Sequence, residues 1–274
     1  MNQKVSIITI NYNNLKGLQS TAESILRLDY QNFEWIIIDG GSTDGSKVFI
    51  EQMDERLSFW CSENDKGVYD AMNKGISHAK GEYVIFMNSG DSFYSETVLS
   101  QVFANLKNSP DVIYGNALYI FEDHEELKSV PETIDFRFIY EYTIFHQASF
   151  IKRELLVENG GYDINLKIVS DWKIWLIFIL QNRVFVYTPH VICRFDAYGI
   201  STGHDDNVNK ERNIVFQEIL PPGIITMMEE VYAYEGIIPY QKYLFYKIAE
   251  IRFVKRILNG FIKFIKIFAK YVEW

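Results

Sequence analysis

The sequence predicts an α/β domain with a mostly parallel, helix-covered sheet and a helical C-terminal region. Three observations lead there. The first hundred residues alternate β-type apolar runs with helix-type segments, as a parallel sheet requires. The chain has 274 residues, about right for one large α/β domain with appendages. Its composition is that of an ordered chain, with 48% hydrophobic and 23% charged residues and only 6 Pro; this excludes collagen-like and low-complexity classes.

Taken in order, Val5–Ile10 reads as a buried strand and Leu15–Leu28 as a helix. Glu34–Ile38 is a second strand, ending at Asp39-Gly-Gly-Ser-Thr-Asp-Gly45. Ser46–Met53 follows as a helix, Leu57–Cys61 as a strand, Gly67–Ala79 as a helix and Tyr83–Met87 as a fourth strand. Ligands of open α/β sheets bind beyond the carboxyl ends of the strands. Three of these ends carry polar clusters: Asn11-Tyr12-Asn13, Asp39-Gly40-Gly41 and Asn88-Ser89-Gly90-Asp91. Beyond residue 110 the pattern loosens. Val112–Phe121 reads as a strand pair or hairpin, and Thr133–Tyr142 is rich in aromatic residues. His146–Lys152 reads as a short strand, Glu154–Asn159 as a helix, Ser170–Gln181 as an apolar helix and Val184–Phe195 as a strand region. Pro221-Pro222-Gly223 marks a soft boundary, dividing a body at 1–220 (halves 1–110 and 111–220) from a helical extension at 221–274.

Charge is divided along the chain. The net charge is −9, yet residues 240–274 hold six Lys and two Arg against two Glu, so the first 239 carry −15. An acidic body argues against nucleic acid as a partner. On a helical wheel the tail places Arg252, Lys255, Arg256, Lys263, Lys266 and Lys270 opposite Ile251, Val254, Ile257, Leu258, Phe261, Phe264, Ile265, Phe268 and Val272. Such a helix suits an anionic membrane interface, or packs its apolar side on protein. The longest run free of Asp, Glu, Lys and Arg, Val5–Leu15, is eleven residues and too short to span a bilayer. The strand-like run from Val5 leaves no room for a signal peptide. Two cysteines, Cys61 and Cys193, read as reduced core thiols.

Each polar segment admits a structural and a chemical reading. Asp39 can accept from a nucleobase or ribose hydroxyl while its glycines admit a ligand, or the segment is a turn with Ser42 or Asp44 capping a helix. Asp91 at a strand mouth suits Mg²⁺ or Mn²⁺, which use few protein carboxylates and complete their shells with phosphate and water; otherwise the turn caps the next helix. Asp70, Asn73 and Lys74 share one helical face. The helix start at Lys66-Gly67 can meet phosphate, or the helix is a solvated face with an Asp70–Lys74 pair. Asp171 beside Trp172 can be a general base with a raised pKa, or a carboxylate satisfying a helix dipole.

Together these segments resemble the inverting nucleotide-sugar glycosyltransferases of family 2, with the GT-A fold, which build bacterial surface polysaccharides. Val5-Ser-Ile-Ile-Thr-Ile-Asn-Tyr-Asn13 is similar to the family's opening strand, and Tyr12 takes the position that stacks on the base. The resemblance implies that Asp39 reads uracil, that Asp91 is the last position of the Asp-x-Asp metal motif, and that Asp171 of Ser-Asp-Trp is the catalytic base. It places Asn11, Tyr12, Asn13, Asp39, Gly67, Asp70, Asn73, Asn88 and Gly90 around the donor and His146, Gln147 and Trp172 toward the acceptor. The metal motif departs from the family at Asn88 and Gly90, where acids are usual, and Met72 stands where many relatives carry arginine. Asp65–Gly75 with Met-Asn-Ser-Gly-Asp91 resembles the colanic-acid-type subgroup, where that altered motif is normal. The function implied is metal-dependent, inverting transfer from a nucleotide diphospho-sugar, UDP-linked by preference, to a lipid-linked or oligosaccharide acceptor. The place implied is the cytoplasmic side of a bacterial plasma membrane, docked through 240–274. Two other classes remain in view: a degenerate scaffold of a polysaccharide complex, and a sugar nucleotidylyltransferase. The latter needs a Gly-rich phosphate loop that Asn11-Tyr-Asn-Asn-Leu15 does not supply.

Overall fold

A computed structural model describes residues 4–104, 106, 108–196 and 205–226. The basic stretch 240–274 lies outside the described residues. The chain divides into two units, Met1–Val215 and Phe216–Trp274.

The first unit opens with the predicted alternation. Its elements are β1 (Val5–Asn11), α1 (Leu15–Leu26), β2 (Phe33–Asp39), α2 (Ser46–Gln52), β3 (Phe59–Ser62), α3 (Val68–His78) and β4 (Tyr83–Phe86). Every residue of β1 and β4 is buried, which is why both read as continuous apolar runs. The Asn14 side chain caps α1 by accepting from the Gly17 N–H at 3.0 Å. Gly75 brings α3 against the sheet, since a Cβ there would lie 2.5 Å from Ile8 Cγ2 and 3.6 Å from Ile38 Cγ1.

The chain continues through β5 (Ser92–Phe93), α4 (Val98–Ala104), β6 (Val112–Ile120), β7 (Glu125–Lys128), α5 (Phe136–Glu141), β8 (Ser149–Lys152), α6 (Arg153–Glu158), α7 (Ser170–Leu180), β9 (Phe185–Asp196) and α8 (Asp205–Ile219). All nine strands of the described residues join one sheet in the order β3-β2-β1-β4-β8-β6-β9-β5, with β7 paired to β6. Strands β3, β2, β1 and β4 are mutually parallel. On the other side β8 runs antiparallel to both β4 and β6, whereas β6 and β9 are parallel.

Sequence and structure differ here in instructive ways. Val112–Phe121 is not a self-contained hairpin: β6 is one strand, and its tip pairs with β7 from Ala117↔Lys128 to Ile120↔Glu125. The strand expected from His146 starts only at Ser149, because 146–148 form a 3-10 turn. That turn is closed by the Ala148 N–H and the Ser149 hydroxyl, which both donate to the Phe145 carbonyl, at 3.0 and 2.7 Å. Helix α7 is buried nearly all round, at Ser170, Trp172, Lys173, Ile174, Trp175, Leu176 and Phe178. Its one buried cation, Lys173, donates to Asp163 at 2.8 Å.

A buried carboxylate fastens the start of the parallel half. Glu34 on β2 accepts from the Ser6 hydroxyl at 2.6 Å, Lys4 Nζ at 3.0 Å, the Gly81 N–H at 2.9 Å and the Lys80 N–H. Burial raises its carboxyl pKa, and the bonds from Ser6, Lys80 and Lys4 outweigh that, leaving it below the ordinary value. Asp39, the last residue of β2, is lowered in the same way. A depressed folded pKa gives stability that is full above the unfolded values of about 4.3 for Glu and 3.9 for Asp and is lost as pH falls through the folded ones. Glu34→Gln is therefore expected to cost about 1–3 kcal/mol at neutral pH and to flatten the acid limb of a urea-midpoint-against-pH curve. Parallel curves for wild type and variant would contradict this.

Candidate active site

Register places the polar strand ends in one row. Asn11 pairs with Asp39 across β1 and β2, and Asp39 with Ser62 across β2 and β3. The row continues past β4, where the Met87 N–H donates to the Ile8 carbonyl at 2.9 Å and the Ser89 N–H to the Ile10 carbonyl at 3.1 Å.

Asp39 lies at the floor of this edge, fully buried. Its Oδ1 accepts from Asn11 Nδ2 at 2.6 Å and Ser42 Oγ at 2.5 Å; its Oδ2 accepts from Ser62 Oγ at 2.6 Å and the Ser42 N–H at 2.9 Å. Burial raises its pKa, but these bonds hold the carboxylate ionised. All four of these bonds are spent inside the chain and tie Asp39 to Asn11, Ser42 and Ser62. What the edge exposes is Tyr12, at 67%. Its ring borders Gly40, where a Cβ would sit 3.1 Å from Tyr12 Cδ2 and 2.8 Å from Asp65 Oδ2. Asn13 takes a left-handed turn (φ 48°) and ties the loop to the next one: its N–H donates to Ser42 Oγ at 2.7 Å and its Oδ1 accepts from the Thr43 N–H at 2.8 Å.

The start of α3 is held by two carboxylates. Asp65 Oδ1 accepts from the Gly67 N–H at 2.9 Å, and Asp70 Oδ2 from the Lys66 N–H at 3.0 Å. Lys74 pairs with Glu63 at 2.8 Å and lies 3.9 Å from Asp70. Asn73 turns elsewhere: its Nδ2 donates to the Tyr162 carbonyl at 2.7 Å and its Oδ1 accepts from the Tyr162 N–H at 2.8 Å. Both ends of its amide latch the Gly160–Tyr162 loop to α3.

The turn after β4 is tightly held. Thr21 Oγ1 donates to the Asp91 carbonyl at 2.6 Å, and the Gly90 N–H donates to Thr21 Oγ1 at 3.1 Å, with Gly90 at φ 108°. Asp91 is 5% exposed. On the same turn Asn88 Oδ1 and Ser89 Oγ are buried oxygens without a hydrogen-bond partner. Hard oxygen donors of this kind suit Mg²⁺ or Mn²⁺. Among the described residues no three His, Cys, Asp or Glu side chains gather as a ready metal cluster.

Asp171 stands in the first turn of α7. Its Oδ1 lies 3.1 Å from the Tyr69 hydroxyl, which has its nearer acceptor in the Ile168 carbonyl at 2.7 Å, and its Oδ2 lies 3.1 Å from His146 Nδ1. Burial, and then the Asp171 charge, push the Tyr69 phenol well above its usual pKa, so it remains a donor. Tyr162, fully buried, is raised for the same two reasons, and its ring stacks on Tyr69 at 5.6 Å. Phe86 presents edge contacts to Tyr162 at 5.6 Å and to His146 at 6.4 Å. The wall around Asp171 is therefore Tyr69, His146 and Tyr162. Trp172, expected to form it, faces the core at 2% exposure and donates through Nε1 to the Ile139 carbonyl at 2.6 Å. Gln147 is also buried.

Four contributors were not anticipated. Tyr69 reads in the sequence as one of the apolar face Tyr69, Met72 and Ile76, and Tyr162 as a residue after a glycine turn. Glu211 and Arg212 sit on the polar helix α8, whose spacing gives no signal of their task. The Glu211 carboxylate accepts from the N–H groups of Lys167, Ile168 and Val169 at 2.9, 2.9 and 3.2 Å, bracing the loop that enters α7. The Arg212 guanidinium lies 4.7 Å from the Trp172 ring centre and donates to the Glu141 carbonyl at 3.1 Å.

Comparison with known proteins fits this geometry. The model of the family "Glycosyl transferase family 2" matches residues 6–161, ending before Asp171. An uncharacterized glycosyltransferase of Mycobacterium tuberculosis is 32% identical over 222 residues, covering 78% of this chain and 81% of the relative. A "PGL/p-HBAD biosynthesis glycosyltransferase" of Mycobacterium bovis is 32% identical over 202 residues, 71% of this chain and 77% of the relative. In fold the chain is similar to the crystal structure of S. aureus TarS 1-349, with TM-score 0.63 at 20% identity over 79% of this chain and 65% of that one. The mannosyltransferase PcManGT of Pyrobaculum calidifontis, solved with GDP-Man and Mn²⁺, gives TM-score 0.55 at 18% identity over 70% of this chain and 56% of that one. The curled, mostly parallel sheet flanked by helices is that of GT-A glycosyltransferases.

Proposed function

The chain belongs to glycosyltransferase family 2, and from that premise we propose that it moves a sugar from a nucleotide diphospho-sugar to an acceptor hydroxyl with inversion. The observation that carries the reading is Asp171, a half-buried carboxylate oriented by two side chains beside the row of strand ends. TarS has been solved with UDP-GlcNAc and PcManGT with GDP-Man, which supports a nucleotide-linked donor, UDP-linked by preference.

Tyr12 offers an open aromatic face for the base, since planar heterocycles stack on such rings. Asn11, Asp39 and Ser42 hold the loop that carries it. Asp91 would hold Mg²⁺ or Mn²⁺, with the unpartnered oxygens of Asn88 and Ser89 on the same turn; a bound ion neutralises charge developing on the diphosphate leaving group. Asp171 takes the proton from the acceptor hydroxyl as that oxygen attacks the anomeric carbon from the face opposite the diphosphate. One bond forms and one breaks at that carbon, so its configuration inverts. Tyr69, kept protonated, stabilises the carboxylate before transfer. Neighbours solved with Mn²⁺ support the metal. The altered Asn88-Ser-Gly-Asp91 motif supports the colanic-acid-type subgroup, and relatives named for PGL/p-HBAD biosynthesis support a surface-glycan acceptor, lipid-linked by preference.

Eight basic residues against two acidic ones in 240–274, with an apolar side opposite, support docking on the anionic inner face of a bacterial plasma membrane.

Asp171→Asn is expected to bind donor as wild type does and to lose transfer by on the order of 10²–10⁴-fold; turnover near wild type would contradict the assignment. In calorimetric titrations with UDP, Asp91→Ala should abolish the difference between runs with and without Mn²⁺, and a retained difference counts against Asp91 as the ligand. For the membrane reading, Lys263→Glu, Lys266→Glu and Lys270→Glu combined in the full chain should weaken sedimentation with anionic liposomes. Unchanged sedimentation would favour packing on protein.

A further inference from the structure

Helix α7 begins without a cap from its own sequence. Its N-cap residue is Val169, whose apolar side chain has no oxygen to offer the N–H groups at a helix start. The loop ahead of it presents the successive backbone N–H groups of Lys167, Ile168 and Val169, an arrangement that makes a concave anion site. The chain fills that site itself. Glu211, on α8, accepts from the Lys167 N–H through Oε1 at 2.9 Å and from those of Ile168 and Val169 through Oε2 at 2.9 and 3.2 Å. The carbonyl side of the loop is held as well. The Ile168 carbonyl accepts from the Tyr69 hydroxyl at 2.7 Å, and the Val169 carbonyl accepts from the Lys173 N–H at 2.9 Å, opening α7. The loop is thus gripped by α8 through its N–H groups and by α3 through its carbonyl.

We infer that Glu211 is a positioning residue for transfer: by occupying the anion site of 167–169 it fixes where α7 begins, and with it the place of the Asp171 carboxylate. This rests on the reading of Asp171 as the base. Asp171 stands in the first turn of α7, two residues beyond Val169, so it follows any shift of that residue. A carboxylate suits the task, because its two oxygens carry lone pairs enough for three donors and its charge strengthens each bond. The next residue of α8 acts on the other flank of Asp171. The Arg212 guanidinium lies 4.7 Å from the Trp172 ring centre and is tied to the Glu141 carbonyl at 3.1 Å. Consecutive residues of α8 therefore hold the backbone before the base and the side chain after it. The strand-end turns assigned to the donor are held by other groups, Asp39, Asn13 and Thr21. Loss of the Glu211 carboxylate should for that reason reach the rate of transfer and leave donor affinity as it is.

Turnover is read as nucleotide released from whichever UDP- or GDP-sugar the full-length wild type hydrolyses fastest in Mn²⁺, with water as the acceptor. Glu211→Ala should lower kcat by on the order of 10²-fold, the scale of a misplaced reacting group, with KM for the donor unchanged. Glu211→Gln keeps one acceptor oxygen on the same stem and should recover part of that loss. In an Asp171→Asn background, Glu211→Ala should cost little more, because no base is left to place. A full additional loss there, or a raised donor KM with kcat unchanged, overturns the inference. Hydrogen exchange of the wild type gives a reading that needs no variant: the amides of 167–169 should be protected. Exchange at the rate of a free loop overturns the inference whether or not the Ala variant folds. If Asp171→Asn loses turnover while Glu211→Ala keeps its kcat, the positioning role fails and the base assignment survives. Turnover retained in Asp171→Asn sinks the base assignment and with it the inference that Glu211 places a base.

Discussion

The hydrogen bond from Asn11 Nδ2 to Asp39 Oδ1, 2.6 Å long between two buried side chains, is the point from which the donor edge is organised. It joins the last residues of adjacent parallel strands, which are also register partners. Asp39 then extends the tie to Ser42 in its own loop and to Ser62 on the next strand. A buried carboxylate is costly unless its lone pairs are met, and here four donors meet them. Because these bonds hold the floor, the loop above can present Tyr12 to solvent and let Asn13 adopt its left-handed turn.

Helix α3 carries that order across to the other half of the molecule. One face packs on β1 and β2 through Gly75. From the same helix Tyr69 reaches Asp171 and the Ile168 carbonyl, and Asn73 clasps Tyr162. The parallel half, with its polar strand ends, and the mixed half, which supplies His146 and Asp171, are thus referenced to one rigid element. Helix α8 completes the bracing, as Glu211 gathers three backbone N–H groups of the loop that leads into α7. Placement to within a fraction of an ångström is what a group that removes a proton requires.

The parallel half was legible in the sequence because its physics is local. Strands buried on both faces are continuous apolar runs, and the polar residues that interrupt them mark the strand ends. Asn11, Tyr12, Asp39, Asn88 and Asp91 stand at or just beyond those strand ends, and Asp171 at the head of an apolar helix. The rest depends on partners far away in the chain. Nothing near Asn73 announces that its amide will clasp Tyr162, 89 residues on, or that Trp172 will turn inward to Ile139 while Tyr69 takes the wall. The short strands β5 and β7 are made by pairing with β9 and β6 rather than by their own composition. Glu211 looks like an ordinary solvated acid until the loop it braces is seen.

The central claim is that a nucleotide-linked sugar lies across the ends of β1, β2 and β4 with its reacting carbon toward Asp171. Hydrogen exchange of the full chain, with and without saturating UDP- or GDP-sugars in Mn²⁺, tests it most directly. The account predicts ligand-dependent protection in the turns at 11–14, 39–44 and 87–91 and at the head of α7. Protection centred instead on the separate hollow lined by Gly81, Glu82, Lys152, Arg153 and Glu154, with those turns unchanged, would contradict it.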